Sequence, residues 1–66
     1  MTKYSQEEYL QWAINYLNER KILSLGDGER LAIMGLPKNV KWEIVSAYMS
    51  RDVEILTDLI KTNINI

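Results

Sequence analysis

The stretch VKWEIVSAYMSRDVEILTDLI, residues 40–60, decides the fold of this chain. Its apolar residues fall in pairs that are separated by steps of four, four, three and four positions. This spacing is the repeat of an α-helix, because the side chains of a strand alternate every second residue. The stretch therefore predicts a helical face that is buried against another part of the molecule. The apolar pairs are Ile44/Val45, Tyr48/Met49, Ile55/Leu56 and Leu59/Ile60, and in the middle of the series Val53 is paired with the charged Asp52.

A charged residue, Asp52, falls in the middle of this face. A continuous helix would bury its carboxylate among apolar side chains, at a cost in free energy. Ser50 and Asp52 are both residue types that favour the N-cap position of a helix. We therefore predict a break or kink near Ser50 in a segment that starts at Pro37 or Asn39 and ends near Thr62. One continuous helix is the alternative, because neither Gly nor Pro occurs between Ser50 and Asp52.

A second amphipathic helix is predicted from Gln6 to about Arg20. Ser5 and Glu8 have the spacing of a capping box, in which Ser5 is the N-cap and Glu8 reaches back from the third helical position. The apolar residues recur at helical spacing and predict a buried face. That face comprises Tyr9, Leu10, Ala13, Ile14 and Leu17, with Trp12 and Tyr16 at its margin.

A short helix is predicted between these two, over residues 29–34. Asp27 or Ser24 is expected to cap its start, and Gly35 fits the C′ position after its end. Together the elements predict an all-α protein, a compact bundle of three or four short helices that forms a single domain over residues 1–66.

Catalysis and metal binding are both disfavoured by the composition. The chain contains neither Cys nor His, which excludes disulfides and thiolate sites and removes the commonest metal ligand and general base. Its neighbouring carboxylates lie on predicted polar faces or turns, where nothing shifts their pKa values toward acid–base chemistry. The sequence therefore predicts a protein that is not an enzyme and that binds no metal and no cofactor.

The small size of the chain points to a partner. A domain of 66 residues buries only about 60% of the surface that its unfolded chain exposes. Small domains compensate with disulfides, metals or association, and only association is left here. We expect another protein as the partner, either a copy of this chain in a homo-oligomer or a host protein in a hetero-complex.

The net charge and the hydropathy of the chain bear on two other classes of partner, nucleic acids and membranes, and on the cellular location of the protein. The formal net charge of −1 argues against a strong electrostatic binder of nucleic acid or membrane. No apolar run has the length of a membrane span. The sequence therefore predicts a soluble, cytoplasmic protein with no membrane partner and with nucleic acid as the second choice.

Six residues are candidates for binding a partner protein. Trp, Tyr and Arg dominate the energetics of protein interfaces, and several such residues stand at the edges of the predicted apolar faces. Asp52 joins them either as a helix cap or as half of a semi-buried ion pair with Arg20, within the fold or across a dimer, that sets the register. The candidates are Trp12, Tyr16, Trp42, Tyr48, Arg51 and Asp52.

A DNA-binding alternative rests on the turn before the last segment. The sequence GLPK, residues 35–38, resembles the turn and recognition-helix start of bacterial winged-helix regulators of the IclR type. The resemblance implies a helix-turn-helix in which Lys38, Asn39 and Lys41 face the DNA groove and Arg30 contacts phosphate. The chain departs from that family in its longer connection before the turn and in the absence of predicted wing strands after it.

The function expected from these observations is that of a small non-enzymatic regulator or inhibitor, which binds another protein through an amphipathic helical surface. Usage that leans to Ile, Asn, Lys and Tyr suggests an AT-rich genome, so an accessory protein of a phage or other mobile element is the kind expected. A helix-turn-helix transcriptional regulator is the first alternative. A structural subunit of a larger assembly is the second.

Overall fold

A computed structural model describes residues 4–64 of the chain, and these form four helices. They are α1 (Gln6–Glu19), α2 (Asp27–Met34), α3 (Lys38–Met49) and α4 (Val53–Ile64). No strand occurs within residues 4–64, so the predicted all-α bundle is confirmed. The predicted domain also covers residues 1–3 and 65–66, which lie outside the described residues.

One hydrophobic core joins the four helices. Helix α3 packs against α1 and α4, and α2 packs against α4 and α1. The predicted apolar face of α1 is confirmed, since four of its five residues are buried and Tyr9 is half-buried. The buried residues are Leu10, Ala13, Ile14, Leu17, Leu23, Leu25, Ile33, Ile44, Val45, Ala47, Leu56 and Ile60.

Helices α1 and α3 lie side by side and run in the same direction. At their N-terminal ends the Lys41 Nζ lies 3.4 Å from a carboxylate oxygen of Glu7. Toward their C-terminal ends the rings of Tyr16 and Tyr48 lie 6.0 Å apart. The parallel arrangement therefore brings two helix C-termini, each with a partial negative charge, to the same end of the molecule.

The predicted break near Ser50 is confirmed. Helix α3 ends at Met49 and α4 begins at Val53, so Asp52 does not interrupt the buried face of a continuous helix. Its carboxylate oxygen Oδ1 accepts a hydrogen bond from the backbone N–H of Ile55 at 3.1 Å. Asp52 thus caps α4, whereas Ser50 is the C-cap of α3.

Some predicted helix boundaries are wrong at the second helix. It begins at Asp27, two residues early, and its N-cap is Gly26 without a side-chain cap, so neither Asp27 nor Ser24 caps it. Gly35 is the C-cap with φ −87°, so it does not adopt the left-handed conformation expected at C′. Helix α1 begins with the predicted capping box at Ser5, and α4 runs two residues past Thr62.

Candidate protein-binding site

Helices α1 and α3 end in turns of the same geometry. In each, the residue after the C-cap has a left-handed backbone with φ 58°; it is Lys21 after α1 and Arg51 after α3. The next N–H in the chain donates to a carbonyl five residues back: Ile22 to Leu17 at 3.0 Å, and Asp52 to Ala47 at 3.1 Å. These bonds, with those from the Lys21 and Arg51 N–H groups, define two Schellman motifs.

The second turn places the Arg51 side chain against α1. Its guanidinium carbon lies 4.6 Å from the ring centre of Tyr48 and 5.3 Å from that of Tyr16. From the other side, the guanidinium carbon of Arg20 lies 4.9 Å from the Tyr16 ring. Two cations therefore stack on an edge-to-face tyrosine pair, which is favourable for both ring and cation.

Tyr16, Arg20, Tyr48 and Arg51 line a shallow groove, and Trp12 extends its wall along α1. Trp12 in turn packs edge-to-face against Tyr9 and Tyr4, with ring centres 5.4 and 4.7 Å apart. We call the surface formed by Trp12, Tyr16, Arg20, Tyr48 and Arg51 the aromatic–arginine face. Asn15 and Glu19 also line its groove.

The two arginines of the aromatic–arginine face form no ion pair within the described residues. Within residues 4–64 the only ion pair joins Lys41 to Glu7, so no carboxylate of this part of the chain pairs with Arg20 or Arg51. The ion pair considered between Arg20 and Asp52 is therefore wrong for the fold itself. Its two groups have other partners, because the Asp52 carboxylate caps α4 and the Arg20 guanidinium stacks on Tyr16.

The other two candidate partner-binding residues lie on a separate surface. Trp42 is 60% exposed and lines a groove between α3 and α4 together with Ala47, Ile55 and Leu59. Asp52 borders the same groove, as does Glu43. The structure therefore brings together four of the six candidates, Trp12, Tyr16, Tyr48 and Arg51, and separates Trp42 and Asp52 from them.

The four residues of the DNA-binding alternative are not brought together. Lys38 and Asn39 line a groove with Gln6 and Trp42, whereas Arg30 lines a cavity on the α1–α2 connection. The Lys41 side chain is 13% exposed; its ammonium lies against Glu7 and donates to the Met34 carbonyl at 3.3 Å. Lys41 is thus engaged in holding α3 to α1 and α2.

The contact between Glu7 and Lys41 is also the clearest electrostatic effect in the fold. The pKa of Glu7 is lowered from its ordinary value, chiefly because its carboxylate accepts a backbone hydrogen bond from Glu7 itself. The ammonium of Lys41 adds to this through a hydrogen bond and its charge, and the charge of Lys38 contributes less. Glu7 therefore remains ionised further into acid than an isolated glutamate.

Arg20 belongs to the aromatic–arginine face, although sequence reasoning did not include it among the candidate partner-binding residues. It follows Tyr16 by four residues, a spacing that places two side chains on one face of a helix. This four-residue spacing could have placed Arg20 beside Tyr16 from the sequence alone. The position of Arg51 against Tyr16 could not be predicted, because it depends on a left-handed turn and on the parallel packing of α1 and α3.

Comparisons with known proteins add no further assignment. No family model, no curated protein and no solved structure matches this chain. Within residues 4–64, no three acidic side chains cluster in a way that would hold a metal ion, and no helix has the length and hydropathy of a membrane span.

Proposed function

We propose that this chain is a small non-enzymatic regulator or inhibitor that acts in the cytoplasm by binding an acidic segment of another protein. The aromatic–arginine face is the surface that carries the proposal. Its decisive feature is the pair of guanidinium groups, Arg20 and Arg51, which stack on two tyrosine rings and have no carboxylate partner within residues 4–64.

The chemistry of this face favours a partner with carboxylates beside an apolar anchor. A guanidinium that stacks on a ring keeps its in-plane N–H groups available, and these match a carboxylate in a bidentate hydrogen bond. Trp12 and Tyr48 supply the large, rigid contact area that concentrates binding energy in interfaces. Glu19, at the edge of the groove, disfavours acidic residues in its immediate vicinity and so restricts their register.

The backbone of Arg51 supports the same proposal. A non-glycine residue in the left-handed region costs about 1–2 kcal/mol, and glycine is the residue that most often occupies this position in a Schellman motif. Arginine at position 51 therefore makes the fold less stable than glycine would, but it supplies the aromatic–arginine face with a guanidinium group.

Substitution of Arg51 by glycine separates binding from folding. Arg51→Gly removes the guanidinium and relieves the left-handed strain, so the fold is kept while binding weakens. Lys21→Gly is the matched control, because Lys21 has the same φ in the equivalent turn and lies outside the aromatic–arginine face. We expect Arg51→Gly to weaken binding by about tenfold or more, as for the loss of a charged hydrogen bond, and Lys21→Gly to leave it unchanged.

The direct measurement uses a peptide library that carries Glu or Asp beside Leu or Phe, and a matched library with Gln or Asn in place of the acids. Fluorescence anisotropy should show binding of acidic peptides only, with an affinity that falls as salt rises. The same selectivity should appear when immobilised wild-type and variant chains capture a stoichiometric protein from bacterial lysate. Equal binding of both libraries, or full binding by Arg51→Gly, would contradict the proposal.

Two further measurements address the alternatives. A salt-dependent mobility shift on DNA that Lys38→Ala abolishes would favour the helix-turn-helix regulator instead. Sedimentation of the isolated chain at several concentrations would reveal a closed homo-oligomer, which would favour a copy of this chain, or a larger assembly, as the partner.

A further inference from the structure

The groove between α3 and α4 presents apolar side chains to solvent. Trp42 of α3 and Ile55 of α4 both line it, and each is more than half exposed. Ala47 and Leu59 also line it. Apolar area of this kind is stabilised when a second surface removes it from water, and an exposed tryptophan is the residue type that most often concentrates binding energy.

The charged residues that line this groove are both acidic, Glu43 and Asp52. Glu43 is exposed and forms no ion pair within residues 4–64. The Oδ1 atom of Asp52 caps α4, whereas its Oδ2 atom is neither hydrogen-bonded within the described residues nor buried. The groove therefore complements a surface that combines large apolar side chains with cations.

The aromatic–arginine face of the same chain is a surface of that chemistry. It carries two guanidinium groups, of Arg20 and Arg51, against one carboxylate, of Glu19, beside its aromatic rings. No residue lines both grooves. On α3, Glu43 and Tyr48 are five positions apart, which places them about 140° apart around the helix axis. The two surfaces therefore lie on different sides of α3, so two other copies can reach them at the same time.

Charge decides which pair of surfaces can meet. Two acidic grooves in contact would bring four carboxylates together, and two aromatic–arginine faces would bring four guanidinium groups together. Like charges that face each other across an interface are unfavourable. Only contact between a groove and a face pairs opposite charges. Such a contact joins different patches on the two copies, so it runs head to tail and does not close as a symmetric dimer.

We propose that the α3–α4 groove binds the aromatic–arginine face of a second copy, head to tail, and that this self-association competes with the acidic segment of the partner protein. The inference rests on the proposed function, because it assigns the same face to both ligands. Each groove is lined by at most eight residues, against about 20–30 on each side of a standard interface. The association is therefore weak and reversible, and a tighter acidic partner displaces it.

Two variants that each alter one of the two surfaces test this contact. Glu43→Arg reverses an exposed charge of the groove, and Arg51→Gly removes a guanidinium of the face. In sedimentation between about 10 µM and 1 mM, which covers the affinities of small transient interfaces, the mass of the wild type should rise beyond that of a dimer. Each variant alone should associate about tenfold more weakly or less. An equimolar mixture of the two should form a dimer and nothing larger, because the intact face of Glu43→Arg binds the intact groove of Arg51→Gly.

Two further variants control for net charge and for folding. Glu29→Arg makes the same charge change at an exposed residue of α2, which lines neither groove, and should associate as the wild type does. Trp42→Ala removes the exposed ring and should behave as Glu43→Arg does, with unchanged helical circular dichroism. The proposal is overturned if Glu43→Arg and Trp42→Ala associate as the wild type does, if the mass of the wild type levels off at that of a dimer, or if the mixture gives no dimer.

Acidic peptides separate this inference from the proposed function. An acidic peptide should dissociate the wild-type assembly, and Glu43→Arg should bind that peptide at least as tightly as the wild type does. Binding of acidic peptides by a wild type that stays monomeric at every concentration would overturn the self-association alone. A dimer from the mixture, without any binding of acidic peptides, would overturn the proposed function alone.

Discussion

The turns that close α1 and α3 share one backbone and differ in what holds them. Both have a basic residue at φ 58° and the hydrogen bonds of a Schellman motif. In the first turn, the positions whose side chains commonly touch in this motif are Leu17 and Ile22, both apolar. In the second turn they are Ala47 and Asp52, which make no such apolar pair.

The two turns are therefore stabilised by different interactions. The first turn is anchored in the core, because Leu17 is fully buried. The second is stabilised by a cap and by stacking, since Asp52 caps α4 and Arg51 lies over two tyrosine rings. The second turn, held by surface interactions, places a charged group where a partner can reach it, whereas in the first turn a change at the buried anchor Leu17 acts on the core itself.

The largest effect is expected at the anchor of the first turn. Leu17→Ala removes a fully buried side chain and should cost about 2–5 kcal/mol. Because a core of this size rarely supplies more than about 3–5 kcal/mol, much of the helical circular dichroism should be lost at room temperature. Ala47→Gly, at the equivalent position, should cost only about 1 kcal/mol. Equal losses of unfolding free energy in the two variants would refute the difference in anchoring.

An intermediate effect is expected at the cap of α4. Asp52→Ala removes the acceptor for the Ile55 N–H and should cost about 1 kcal/mol, a fall in thermal midpoint of about 4–8 °C. Asp52→Asn should be nearly silent, because asparagine caps equally well. If Asp52→Asn destabilised the chain as much as Asp52→Ala, the negative charge and not the cap would be the contribution of this residue.

A smaller effect of opposite sign is expected at the two left-handed residues. Lys21→Gly should stabilise the chain by about 0.5–1 kcal/mol, because glycine adopts φ 58° without strain and part of that gain is offset by backbone entropy. Arg51→Gly should gain less, since it also loses cation–π contacts worth about 0.5–1 kcal/mol. Chemical unfolding of both variants measures the difference, and equal gains would mean that the stacking contributes nothing to folding.

The smallest effect is expected far from both turns, at Glu7. The pKa of Glu7 is lowered in the folded chain. The ionised Glu7 carboxylate therefore stabilises the fold at any pH above its ordinary pKa of 4.5. This contribution is lost as the pH falls through the lowered pKa. Glu7→Gln should therefore lose slightly less stability than the wild type between about pH 7 and pH 3. Thermal unfolding at both pH values checks this. The difference between Lys21→Gly and Arg51→Gly should be unchanged by Glu7→Gln.

The sequence predicts most of the fold because its helices are encoded by local signals. The capping box at Ser5 and the apolar periodicity of α1 act within a few residues, and so does the conflict at Asp52 that separates α3 from α4. The start of α2 is less predictable, because Gly26 offers no side-chain cap to mark it. Ser24 and Asp27 were plausible caps by residue type, but the backbone places neither at the N-cap.

The sequence predicts which residue types belong to the candidate site, but it does not predict which of these residues lie together on one surface. Trp12, Tyr16, Tyr48 and Arg51 are recognisable from the sequence as candidate interface residues, as are Trp42 and Asp52. Only the parallel packing of α1 on α3 decides that the first four form one face. Lys41 shows the converse, since a residue assigned to DNA by its type is engaged by Glu7 and the Met34 carbonyl in the fold.

The sequence by itself determined that this chain forms short amphipathic helices, that its last segment breaks near Ser50, and that Cys and His chemistry is absent. These properties depend on residue type and on spacing along the chain. The tertiary structure alone decided that two helix C-termini lie together, that Arg20 and Arg51 share one tyrosine pair, and that Trp42 and Asp52 line a separate groove. Such features depend on distances between segments remote in sequence, which local preferences do not specify.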